Sequence, residues 1–281
     1  MAGPARRRWF RWTGEIANWA ERRAERSVGS PEEGLTLAEN RLAKSLSAEG
    51  PDAWRTINAM ESVARFRERL GRYSDALPLR RQVVDARRSQ LGTEDRLTLA
   101  AEARLAITLI ELREPSEAKP LLAHVLGVMT EAQGSEDVTV LTVMERLADA
   151  EIALGESEPA RRLLEEAMTG HRERGDEVQA SGIATKLAKS FIDGGHYSAA
   201  TVLMRWVVEV RSRVLGANDP ATLASLRNLV SALVFMGEFA EASIVARSLQ
   251  SSTLRALGAG HRDTVAAQRL VRDIDERLDA D

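Results

Sequence analysis

The 281-residue chain contains no cysteine, which excludes disulfides, a thiolate nucleophile and cysteine-ligated zinc. Aromatic residues make up only 4% of it, and of its 39 basic residues just four are lysine: Lys44, Lys119, Lys186 and Lys189. The arginine excess reads as coding bias, and the net charge of −3 argues against a nucleic-acid partner. No run approaches 18 consecutive apolar residues, so no membrane span is predicted. The four histidines, His124, His171, His196 and His261, lack metal-ligand spacing and read as solvated or locally bonded. A Walker loop, a GxSxG elbow and a dinucleotide glycine pattern are all missing. No catalytic residue, metal site or cofactor is therefore expected, and the chain reads as a non-enzyme. With 44% hydrophobic and 29% charged residues, what remains is the profile of a helical protein rich in Ala, Leu, Arg and Glu.

What the chain does have is a repeat. A turn followed by alanine recurs at Ala76, Ala118, Ala160, Ala200 and Ala242, spaced 42, 42, 40 and 42 residues. Gly50, Gly92, Gly134, Gly175, Gly216 and Gly258 keep the same beat. Apolar residues within each repeat fall three and four apart, so each predicts two helices, A before the turn and B after it. The repeats are about 51–92, 93–134, 135–175, 176–216 and 217–258. Twelve residues before each turn alanine stands a small residue, Ala64, Ala106, Ala148, Ala188 or Val230, each preceded by a larger apolar one. That pairing lets two antiparallel helices approach closely while the neighbour fills the core. A lone helix B is expected over Leu35 to Leu46 and a lone helix A over Asp263 to Leu278, the atypical ends of an array.

Small residues in helix A, glycine and an aromatic at the turn, and alanine opening helix B resemble the tetratricopeptide repeat family. The 42-residue period and the linkers 215–223 and 257–265 are similar to its kinesin-light-chain-type branch. Repeat 2 departs, with Arg113 and Pro115 at the turn, and repeat 4 is shortened around residues 177–181. The resemblance implies an all-α, right-handed superhelical solenoid of antiparallel hairpins over residues 30–281, whose concave wall comes from the A helices. On that wall the register places Asn58, Glu61 and Arg65, then Arg104 and Ile107, then Glu145 and Asp149. Repeats 4 and 5 add Thr185, Lys186, Lys189, Arg227, Asn228 and Ser231. Half of the chain's lysines fall in this last cluster, where long cations beside an amide could hold an acidic protein segment. The expected function is a protein-interaction adaptor or scaffold in the cytoplasm. The alternatives are an assembly subunit and a peptide-sensing regulatory module.

Residues 1–29 form a separate basic arm. In a helix, Trp9, Trp12, Ile16 and Trp19 gather on one face, with Phe10 alongside, and arginines gather on the other. Residues 1–27 carry formal +4 and leave −7 on the remainder. Such an arm could rest weakly on an anionic membrane, dock into a partner or a second copy, or cover the first repeat.

Overall fold

The computed structural model describes residues 30–279, so the arm with Trp9, Phe10, Trp12, Ile16 and Trp19 lies outside the described residues. The described residues form twelve α-helices and no strand. They are α1 (Pro31–Glu49), α2 (Trp54–Arg69), α3 (Tyr73–Leu91), α4 (Arg96–Glu111), α5 (Pro115–Gln133), α6 (Val138–Ala153), α7 (Ser157–Glu173), α8 (Glu177–Asp193), α9 (Tyr197–Val214), α10 (Pro220–Met236), α11 (Phe239–Leu257) and α12 (Arg262–Leu278). Even-numbered helices from α2 are the A helices of the repeat, and odd-numbered ones are the B helices. The chain divides into an N-terminal body ending at Ala118 and a C-terminal body starting at Lys119. Consecutive helices pack against one another from α1 to α4 and from α6 to α12.

The small residues sit where close packing needs them: Ala64, Ala106, Ala148, Ala188 and Val230 are fully buried. In the C-terminal body Ala188 and Val230 join a core that includes Met204, Val207, Leu229, Leu233, Val271 and Ile274, drawn from α9, α10 and α12. In the N-terminal body, Leu35 and Ala38 of α1 meet Val63 and Phe66 of α2. Each fully buried leucine or phenylalanine of this kind contributes about 1.5–3 kcal/mol relative to exposure.

All five turns between A and B helices close with one pair of hydrogen bonds. The amides of Arg72, Glu114, Glu156, His196 and Glu238 donate to carbonyls five residues back, at Arg67, Leu109, Glu151, Phe191 and Leu233. The preceding residue donates three back and takes a left-handed conformation, which satisfies carbonyls that a helix end would otherwise leave orphaned. Four of those residues are glycine; the fifth is Arg113, at φ 63°, alone among the described non-glycine residues in having positive φ. The departure seen in repeat 2 therefore keeps the turn and accepts a strained residue within it.

The short repeat 4 has a different cause. The linker runs four residues before α4 and α6 and five before α10, and ends in Asp95, Asp137 or Asp219, whose carboxylate accepts from the amide two residues on at 2.8 Å. The hydrogen bonds to Thr139 hold the Asp137 carboxyl below the usual carboxylate range. Before α8 the linker is the three residues Arg174 to Asp176, closed by the same amide pair as the A–B turns, with Asp176 N–H bonded to His171 C=O at 2.8 Å. One residue and one cap are lost there, and Asp176 makes no side-chain capping bond.

Two arginines of α3 are buried in the N-terminal body. Arg80 is held by both oxygens of Glu68, at 2.7 and 2.6 Å, and Thr108 of α4 donates to the same carboxylate at 2.6 Å. Glu68→Ala should leave that buried charge unpaired and lower unfolding stability by about 3–5 kcal/mol; adding Arg80→Leu should recover most of the loss in chemical denaturation. Arg113→Gly should raise stability by about 0.5–1 kcal/mol, because the left-handed strain outweighs the extra entropy of glycine.

Candidate protein-binding face

In the N-terminal body the expected wall residues lie close together but are taken up by one another. Arg87 of α3, buried with its guanidinium 4.1 Å from the Trp54 ring, donates to Asn58 Oδ1 at 2.6 Å. Burial pulls the Arg87 pKa down, while Glu61, 3.8 Å away, pushes it back up. Glu61 also accepts from Arg104, which joins α2 to α4. Arg65 donates to Ser62 Oγ and lies 5.8 Å from the centre of the Phe66 ring. Ile107 is exposed. Opposite charges are thus neutralised between neighbouring A helices, and the face is held internally.

The C-terminal body begins in the same way. Lys186 of α8 donates to Glu145 at 2.6 Å and to both oxygens of Asp149 at 2.8 and 2.9 Å, tying α8 to α6. Arg146 reaches Asp149 at 3.2 Å. Lys186 is therefore an internal strut, and Glu145 and Asp149 are its counter-ions. Thr185 spends its hydroxyl on the Ser181 carbonyl, and Ser231 spends its own on the Arg227 carbonyl.

Beyond Lys186 the pairing stops. Lys189, Arg227 and Asn228 are exposed, and their side chains make no hydrogen bond or ion pair among the described residues. α8 and α10 are held side by side by Arg211 of α9, which donates to Ser181 at 3.0 Å and to Ser225 at 2.8 Å; burial lowers its pKa. The open cations consequently stand on two neighbouring A helices.

Two further residues belong to this face and were missed from the sequence. Phe235 is 62% exposed, lies seven residues after Asn228 on the same stripe of α10, and stacks on Tyr197 at 5.3 Å. It stands five residues after the small residue Val230, beyond the last wall residue expected on α10, Ser231. Arg269 of α12, exposed and 42 residues after Arg227, was legible from the period but was set aside with the end helix. Among the described residues no group of three or more His, Asp or Glu could hold a metal ion, and no helix is long and apolar enough to cross a membrane. His261 accepts at Nδ1 from the Asp263 amide at 3.2 Å, capping α12, whereas His171 is buried beside Asp176 at 3.6 Å.

Lys186→Ala should set Glu145 and Asp149 side by side without a counter-ion. Stability should fall by about 1 kcal/mol, as befits a half-exposed pair. The loss should shrink in high salt, and urea denaturation at two ionic strengths measures both.

The sequence matches no family model and no curated protein. Solved structures do match. A protein described as a kinesin light chain of nearly identical TPR-like repeats, from Podosopora anserina, is 23% identical and superposes with a TM-score of 0.64, covering 74% of this chain and 99% of that one. BtubC (BKLC) from P. vanneervenii is 18% identical with a TM-score of 0.66, covering 84% and 94%. A Rap protein complexed with competence and sporulation factor is 13% identical with a TM-score of 0.50, covering 89% and 71%. The hairpin register, the turns and these structures together show that the chain has the fold of a tetratricopeptide-like helical repeat array.

Proposed function

We propose that the protein is a non-enzymatic interaction scaffold that holds an acidic protein segment on the A-helix stripe of its C-terminal body. The observation that carries this reading is the contrast along one stripe: Lys186 is neutralised by two carboxylates, whereas Lys189 and Arg227 are exposed without any. Cations left open beside an amide offer charge-assisted hydrogen bonds to carboxylates and backbone carbonyls. Arg269 extends the row, and the face of Phe235 gives apolar contact area at its edge. Helices locked by Arg211 and by a shared core need little further ordering, so binding loses little free energy to rigidifying the receptor. The Rap protein structure, which contains competence and sporulation factor, supports the view that this fold accommodates a second molecule.

The test is affinity capture from native lysate with the full-length protein and its Lys189→Glu, Arg227→Glu double variant, with circular dichroism on both. The charge reversal should abolish capture of the partner and leave helicity unchanged. Undiminished capture by the double variant would remove this stripe from the mechanism.

A further inference from the structure

α1 stands at the helix-B position of the repeat, and the matching helix-A position falls outside the described residues. It precedes α3 by 42 residues at both ends, Pro31 against Tyr73 and Glu49 against Leu91. In the five complete hairpins the helix-B position of Val83 is buried, as in Val125, Ala167, Val207 and Leu249. In α1 that position is Arg41, only half-buried. The position of Leu79, half-buried in every complete hairpin, is Leu37 in α1, which is 37% exposed. Leu37 and Arg41 share one flank of α1. Its other flank is already filled: Leu35 and Ala38 pack on α2, and a Cβ at Gly34 would stand 2.2 Å from the Phe66 ring. α1 is therefore tight against the helix that follows and open where its own helix A belongs.

The sequence ahead of it has the matching pattern. α2 buries Thr56, Ile57, Met60, Val63 and Ala64, and every later A helix but the last buries the same five positions. Trp12, Thr13, Ile16, Trp19 and Ala20 repeat that spacing, with Trp19-Ala20 in the place of Val63-Ala64. The last A helix is the informative contrast. α12 has no described helix B after it, and it carries exposed Gln268 and Arg272 where Met60 and Ala64 stand in α2. The arm carries Ile16 and Ala20 there, which suits a helix with a partner.

We propose that residues 12–27 are the helix A of α1, docking along the flank of Leu37 and Arg41 in the same chain and completing a sixth hairpin. The connection to α1 is then two residues longer than in the other hairpins. The tryptophan face is occupied within the molecule, so it is not the surface presented to a membrane or to another subunit.

Hydrogen exchange read by mass spectrometry on the full-length protein tests this. Amides of residues 14–27 should exchange at least 100-fold more slowly than in an unstructured chain, at concentrations where the mass in solution is that of a monomer. Trp19→Asp should abolish that protection and speed exchange around Leu37 at least tenfold, while α10, as internal reference, stays unchanged. Trp9→Asp, outside the pattern, should change neither region, and Ile16→Ala should give a smaller effect of the same kind as Trp19→Asp. Unprotected amides at 14–27 in the monomer would overturn the proposal. So would protection that vanishes on dilution together with a dimer mass, or protection that appears only with anionic phosphatidylserine vesicles.

Discussion

Each internal helix B in this protein must satisfy two helices at once, the A helix before it and the A helix after it. An amphipathic helix of 17–19 residues cannot hide its apolar stripe alone. The small residue in each A helix that has a described helix B after it lets that helix come close, and the Val83-type position of helix B is buried in all five complete hairpins. The same wedge places polar groups in the interior. Arg87 and Arg211 sit on the second half of their B helices, and Arg211 bonds to both flanking A helices. These groups are costly to bury and are held by two or more partners, so they fix the register between neighbouring repeats as well as filling space.

Between successive A helices the cement is electrostatic. Glu61 with Arg104, and Glu145 and Asp149 with Lys186, repeat one device in the two bodies. Every charge spent this way is withdrawn from the surface. By Lys189 and Arg227 the acidic partners have run out, because the matching positions on neighbouring A helices hold Thr185, Ser231 and Asn228. The part of this stripe left open is thus defined by where intramolecular pairing ends. Total charge is a poor guide to it, since the chain is acidic overall and the open stripe is basic.

Helix boundaries, hairpin pairing and the buried alanines were legible in the sequence because they are set by period, and period is a property of the chain. The helices A and B expected within repeat 1, about 51–92, are found at 54–69 and 73–91. The turn of repeat 2 was readable as unusual, but its outcome was not. The structure keeps the turn, with Arg113 at positive φ. The shortened repeat 4 was visible as an alanine spacing two residues short, and the exchange of a capped linker for a tight turn was not.

The candidate site divides along the same line. The sequence by itself determined the fold, the list of residues on the A-helix stripe and the absence of thiol chemistry, since these follow from spacing and residue type. Only the tertiary structure decided which of those residues are occupied: Lys186 looked like part of a cation cluster and is a strut, while Phe235 and Arg269 looked incidental and lie on the open face. The reason is that an ion pair between Lys186 and Glu145 joins residues 41 apart, and whether two such side chains meet depends on how neighbouring hairpins stack, which no window of local sequence encodes.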